Sequence, residues 1–185
     1  MINDIMADAR ERMHAAAESY KKELGSIRTG RASISMLDEI RVDMYGTMLP
    51  INQVATLSTP DARMIVIQPW DRGAIEAIEK AIKVSNLNLN PQNDGKLVRL
   101  PIPPLTEERR KDLVKQAKKK NEEAKVEVRG VRRDAKEMIE AAETEGEVSK
   151  DDSRRGLDDL QALTDTFAAK IDELTSAKEK EIMEF

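Results

Sequence analysis

Four basic side chains, Lys111, Lys118, Lys125 and Arg132, recur every seven residues, and Lys115, Arg129 and Lys136 repeat that interval four positions along, with Glu122 as the one break. On a helix the two series form neighbouring rows on one flank. Arg129, Arg132, Arg133 and Lys136 stand at i, i+3, i+4 and i+7, a compact end rich in guanidinium groups. Such a row suits a polyanion, because guanidinium can meet phosphate oxygens two at a time and each ammonium adds a point charge. The same row also reads as a solvated face laced with ion pairs to Glu122, Glu123 and Glu127, and charge alone leaves both readings open. The density of Arg over Lys at 129–133 favours recognition. If the partner is a nucleic acid, five aromatic residues (Trp70, Tyr20, Tyr45, Phe167, Phe185) are too few for a single-strand stacking platform. Backbone and shape recognition of folded, double-helical RNA fits better.

Other chemistries are poorly served. Gly25-Ser26-Ile27-Arg28-Thr29-Gly30-Arg31-Ala32 has the glycine spacing of a phosphate-binding loop, but Arg31 replaces its Lys and Ala32 its Ser or Thr. That segment also follows a helix pattern rather than a strand. There is no Cys, which excludes disulfides, thiolate catalysis and cysteine-ligated zinc, and His14 alone argues against histidine clusters and triads. Asp151-Asp152 and Asp158-Asp159 suit a helix dipole and a solvated face better than a metal. We therefore expect no catalytic residues, no metal and no cofactor. The nine Met read as core filler.

The 185 residues suffice for one ordinary domain or two small ones, and 36% of them are charged. The 31 basic and 35 acidic side chains leave a net charge of -4, but the signs are segregated. Residues 1–104 are neutral, residues 105–136 carry +5 and residues 137–185 carry -9. A basic block inside an acidic chain can bind an anion on one face without general adhesion. No apolar run approaches the ~18–20 residues of a membrane span, and the N-terminus lacks a signal-peptide profile, so a cytoplasmic protein without membrane contact is expected.

Several elements must position the cations. Met6, Ala9, Met13, Ala16, Tyr20 and Ile27 predict an amphipathic helix to about residue 28, closed by Gly30 as a left-handed cap. Residues 32–104 predict a small α/β unit of about five strands and one helix. Its strands would cover 40–44, 54–57, 64–67, 87–89 and 97–100, and its helix would follow Asp71 with Ile75, Ile78 and Ile82 on one face. Asn90-Pro91-Gln92-Asn93-Asp94-Gly95 reads as the turn of a last hairpin. Pro101, Pro103 and Pro104 then form a stiff connector. Thr106 would cap a helix over 107–143 with a seam of Val114, Ala117, Asn121, Ala124, Val128, Val131, Ala135, Met138 and Ala142. Gly146 ends it, Ser149 and Asp152 resemble a capping box, and a last helix follows with Leu157, Leu160, Thr164, Phe167, Ile171 and Leu174 as its seam.

The expected fold is therefore α+β. An antiparallel three-helix bundle (1–30 and 105–185) carries a small, β-rich α/β domain (31–104) between its first and second helices. The chain crosses twice, near 29–31 and 101–105, which permits hinge motion while limiting its direction.

Ile27-Arg28-Thr29-Gly30-Arg31-Ala32-Ser33, Leu89-Asn90-Pro91, Pro101–Lys111, Val128-Arg129-Gly130-Val131-Arg132-Arg133-Asp134 and Asp151-Asp152-Ser153-Arg154-Arg155 resemble the bacterial ribosome recycling factor family, in order and from end to end. The resemblance implies an L-shaped, monomeric, non-catalytic translation factor with a flexible linkage at Gly30, Arg31, Pro103, Pro104 and Leu105. It implies binding to the post-termination ribosome and its separation into subunits with elongation factor G, which supplies the GTPase. It also implies bundle contacts to large-subunit ribosomal RNA. Arg132 matches the family's principal bundle arginine, flanked by Arg129 and Arg133, and Arg28, Arg31 and Arg110 match further arginines of that contact. Lys118 and Lys125 join the set as members of the basic row. Two departures stand out: Ile34 replaces a Pro common in relatives, and Gly130 replaces a longer side chain. Two rivals remain at this level, a helical module gripping protein clients through Met-rich tips and an enzyme using a buried carboxylate pair.

Overall fold

The computed structural model describes residues 1–184. In chain order its elements are α1 (Ile2–Gly25), β1 (Arg41–Met44), β2 (Thr47–Pro50), β3 (Ala55–Asp61), β4 (Met64–Pro69), α2 (Ile75–Val84), β5 (Gln92–Asn93), β6 (Val98–Pro101), α3 (Glu107–Thr144) and α4 (Lys150–Glu184). Short 3-10 turns cover Ile34–Leu37, Ile51–Gln53 and Arg72–Ala74. The class is α+β, with two compact units: residues 1–28 with 107–184, and residues 29–106.

In the first unit α1, α3 and α4 pack on one another as a three-helix bundle. Arg12 meets Asp134 and Glu23 meets Lys120, so α3 runs antiparallel to α1. Tyr20 meets Thr175 and Glu18 meets Lys170, so α4 runs parallel to α1. The buried stripe of α1 is Ala9, Met13, Ala16, Ala17, Tyr20 and Leu24. In α3 the buried set includes Leu113 and Ile139, whereas Val114 is half-buried and Met138 is 50% exposed, which corrects the expected seam at those two positions while its last residue, Ala142, is buried. From Leu113 to Ala142 the buried positions follow the 3.6-residue period of a straight helix, and a strict 3.5 reading drifts off them at Val114 and Met138. The same drift places Gly156 and Thr175 of α4 in the core, where Leu157 and Leu174 were expected. Gly156 is also the position that approaches α1: a Cβ there would stand 3.1 Å from Ile2 Cγ2.

Helix ends follow local hydrogen-bond competition. α1 stops at Gly25, short of the expected 28, because the Ser26 hydroxyl donates to the Glu23 carbonyl at 2.6 Å and the Ile27 amide turns back to Leu24 O at 3.1 Å. Gly30 does adopt φ +79°, but in the following segment rather than as the helix cap. Gly146, at φ +77°, closes α3: its amide donates to Glu143 O and that of Glu147 to Ala142 O, the paired bonds of a Schellman end. Ser149 Oγ accepts from the Asp152 amide at 3.1 Å and starts α4.

The second unit holds a β1–β2 hairpin and a four-stranded antiparallel sheet in the order β3-β4-β6-β5. Tyr45 and Gly46 form the hairpin's two-residue loop, both at positive φ, with Asp43 Oδ1 accepting from the Gly46 amide at 3.0 Å. Ile65, Ile67, Val98 and Leu100 of the sheet pack with Ile75, Ile78 and Ile82 of α2 and with Leu37, Val42 and Ile51 in an aliphatic core. The strand expected at 87–89 is absent: Asn88 sits at φ +53°, in the left-handed region, which breaks an extended run. β5 instead forms at Gln92–Asn93, inside the presumed turn, while β2 went unread because Thr47–Pro50 has little alternation and ends in Pro. The turn that joins β5 to β6 is organised by Asp94, whose carboxylate accepts from the Leu97 amide, the Lys96 amide and Arg99 at 2.8–2.9 Å. Those bonds hold its carboxyl down to about 2.

Both chain segments that enter and leave this unit are strapped to the β3–β4 turn. The Ala32 amide donates to Ala62 O at 2.7 Å, and the Ile102 amide to Arg63 O at 2.8 Å. Further out, Gly30 lies under Leu105 so closely that a Cβ would stand 2.8 Å from Leu105 Cγ.

Candidate nucleic-acid interface

Burying Ala117, Ala124, Val128 and Val131 against the other two helices places Lys111, Lys118, Lys125 and Arg132 beside the seam of α3. Lys115, Glu122, Arg129 and Lys136 lie one step further out. The inner row borders α4, as its contacts show: Lys125 reaches Asp172 and Arg132 reaches Gln161.

The row is divided in its partners. Lys125 Nζ stands 2.7 Å from Asp172 Oδ1, with its side chain only 26% exposed. That contact, followed by the Asn121 amide at 3.1 Å, holds the Asp172 carboxyl below its ordinary range. Arg129 Nη2 donates to Glu122 Oε1 at 2.5 Å. Lys111 and Lys136 pair with Glu107 and Glu140 at 3.2 and 3.7 Å, exposed pairs of small energetic weight. Of the two readings that charge alone left open, Lys125 and Arg129 follow the ion-paired one. Ion-pair lacing operates there, through Asp172 and Glu122 rather than Glu123 or Glu127.

Arg132 is treated differently. Its Nη1 donates to Gln161 Oε1 at 2.8 Å, and Gln161 Nε2 donates onward to Asp165 Oδ1 at 2.9 Å. The guanidinium is half-buried, its Nε is enclosed without a hydrogen-bond partner, and its one fixed acceptor is neutral. Lys115, Lys118 and Arg133 are exposed and form no ion pair among the described residues. Arg132, Arg133 and the lysines thus keep net positive charge on one flank.

Arg110 is held in a similar way at the other end of α3: its Nη1 donates to Met183 O at 2.7 Å, where the last carbonyls of α4 carry partial negative charge, and its Nε is enclosed without a partner. Arg28, beyond the end of α1, and Arg31, within the second unit, are both exposed. The acidic start of α4 pairs with its own next turn, Asp151 with Arg154 and Asp152 with Arg155, and His14 lies exposed on α1. No helix of the described residues is long and apolar enough to cross a membrane.

A second polar cluster lies inside the bundle. The Tyr20 hydroxyl bonds Thr175 Oγ1, Asn121 Nδ2 donates to the same oxygen at 2.7 Å, and Thr175 donates to Ile171 O at 2.8 Å. Burial pushes the Tyr20 phenol up, and the cluster ties one residue from each long helix into a fixed register. Sequence reasoning placed Asn121 in the seam, and a polar residue at a seam position is the signal for such a node. Gln161 was missed. Its signal was slight, an uncharged amide beside the seam residue Leu160 and four positions before Asp165.

A family model described as ribosome recycling factor matches residues 20–183. A protein named ribosome-recycling factor from Nitratidesulfovibrio vulgaris (strain DP4) is 57% identical over 183 residues, covering 99% of this chain and 98% of that one. One from Symbiobacterium thermophilum is 50% identical and covers 100% of both. A solution structure of a ribosome recycling factor is similar at 49% identity and TM-score 0.66, covering 100% of this chain and 98% of that one. A second structure, at 42% identity and TM-score 0.59 with 98% of each chain covered, is of the T. thermophilus ribosome recycling factor with E. coli elongation factor G on the E. coli post-termination complex.

Proposed function

This chain belongs to the ribosome recycling factor family, a family of non-enzymatic translation factors, and from that premise we propose how its own residues serve ribosome recycling. The protein acts in the cytoplasm as a monomer. It binds the post-termination ribosome through large-subunit ribosomal RNA and, with elongation factor G and GTP, separates it into subunits. The GTPase is the partner's, in keeping with the degraded phosphate-binding loop at 25–32.

The observation that carries this reading is the treatment of Arg132, fixed in place by a neutral amide, with the exposed Arg133 next to it in sequence and the exposed Lys118 two heptads back in the same row. A cation held still and left unneutralised loses little entropy on meeting a phosphate. Arg28 and Arg31 add charge in the segment after α1, and Arg110 contributes by securing the end of α4. Lys125 and Arg129 would first have to exchange Asp172 and Glu122 for phosphate, so they contribute less.

The small unit takes the other role. Its charges balance, eight basic against eight acidic over residues 29–106, which does not suit a polyanion. It exposes Tyr45, Met48 and Trp70, which suit a protein partner, here the elongation factor. The straps at Ala32 and Ile102 confine hinge motion to the few residues outside them, Gly30 and Arg31 on one crossing and Pro103, Pro104 and Leu105 on the other.

The test is a light-scattering assay on post-termination ribosomes. Scattering is expected to fall only when the protein, elongation factor G and GTP are all present. Arg132→Ala should weaken ribosome binding by ~1.5–3 kcal/mol, the worth of a charge-assisted hydrogen bond. Parent-like affinity and splitting by Arg132→Ala would refute the proposed contact.

A further inference from the structure

Within one helical flank, three cations meet three kinds of partner. Lys125 has a carboxylate from the neighbouring helix, Arg129 a carboxylate from its own, and Arg132 a carboxamide. A carboxylate at Gln161 would fix Arg132 at least as firmly, so fixation alone does not require an amide. What the amide adds is a hydrogen bond without a countercharge.

We infer that Gln161 is a positioning residue for RNA binding, which aims Arg132 while leaving its full positive charge available to a phosphate; this rests on the proposed ribosomal contact. The side-chain amide could in principle turn either way, and the reverse orientation would set an NH2 against the guanidinium. Asp165 prevents that. It accepts from Gln161 Nε2 at 2.9 Å, which leaves Oε1 directed at Arg132 Nη1 at 2.8 Å. Asp165 and Gln161 are four residues apart on α4, so the helix itself sets their spacing. With one Nη committed and Nε enclosed, the remaining donors of the guanidinium are the ones free to meet phosphate oxygens. Asp165 acts through the amide rather than on Arg132 itself, which keeps its negative charge one residue removed from the guanidinium.

The test measures equilibrium binding of the fluorescently labelled full chain to post-termination ribosomes across a salt series, for Gln161→Leu, Gln161→Glu, Arg132→Ala and the double variant Arg132→Ala/Gln161→Leu. Gln161 is exposed, so parent-like thermal unfolding is expected for the Gln161 variants. Gln161→Leu should weaken binding about fivefold and Gln161→Glu about tenfold, the second also flattening the salt dependence by roughly one phosphate contact. In the Arg132→Ala background, Gln161→Leu should cost nothing more. Gln161 variants that bind like the parent while Arg132→Ala is weakened would overturn the inference and leave the proposed function standing. An equal loss from Gln161→Leu with or without Arg132 would overturn it differently, by making Gln161 a direct contact. If Arg132→Ala itself binds like the parent, the ribosomal contact falls first and the inference with it.

Discussion

The bundle and the α/β unit solve the problem of a charged surface in opposite ways. Over residues 29–106 the charges match in number, and the structure spends several on local geometry: Asp94 on its turn with Arg99, Asp71 on the Gly73 amide, Asp61 on the Arg63 amide. The bundle sorts its charges by element instead, with the basic excess on the first three-quarters of α3 and the acidic excess over 137–185. The cores differ as well. The small unit packs isoleucines from a sheet against α2, while the bundle packs Met13, Leu113, Ile139, Leu160 and Ile171 between its helices beside a buried polar node. A surface sorted by charge can address a polyanion; a matched surface with exposed Tyr45 and Trp70 addresses something else.

The sharpest way to separate the two units is to damage one core. Ile67 is fully buried in the sheet, and Ile67→Ala should destabilise the α/β unit by ~2–5 kcal/mol through lost burial and the cavity left behind. In urea, far-UV helical signal should persist after Trp70 fluorescence reports unfolding. Coincident transitions would break the comparison, showing the two units to be one cooperative body.

Two glycines sharpen it further. Gly30→Ala forces a side chain into φ +79° and against Leu105, and should cost about 1–2 kcal/mol in thermal or urea unfolding. Gly130 lies inside α3 with open space where a Cβ would go, so Gly130→Ala should stabilise the bundle by ~0.5–1 kcal/mol. Opposite signs are expected from one substitution type, and the same sign at both sites would contradict the assigned geometries.

Acid should discriminate least but still visibly. Asp94 and Asp172 both have lowered carboxyl pKa values, so each contributes stability that is present above the unfolded value near ~4 and lost as pH falls through the folded one. For Asp94 that loss extends down to about 2. The stability gap between the parent and Asp94→Asn should therefore shrink between pH ~4 and 2, and a gap independent of pH would remove Asp94 from the ledger.

The long helices were legible because sustained periodicity states their extent and Gly146 the end of α3, whereas the end of α1 at Gly25 depends on local bonds of Ser26 and Ile27 that periodicity does not show. The seam of α3 was legible in the middle and misread at Val114 and Met138, because the choice between a 3.5 and a 3.6 period changes little at Val128 and a full position at Leu113 and Ile139. In the small unit, Ile75, Ile78 and Ile82 announced their face, whereas β2 and β5 were too short and too polar to show alternation. The basic row was readable as charge. Which of its members are neutralised was not, since Asp172 and Gln161 lie 47 and 29 residues from Lys125 and Arg132 and only packing brings them together.

The salt dependence of ribosome binding tests most directly whether this flank of α3 meets RNA phosphates. For the parent, log affinity should fall steeply and linearly with log salt concentration, and in Lys118→Gln/Arg132→Gln/Arg133→Gln the slope should shrink by about two to three, at roughly 0.7–0.9 per phosphate released. An identical slope for parent and triple variant would mean that those three cations touch no phosphate.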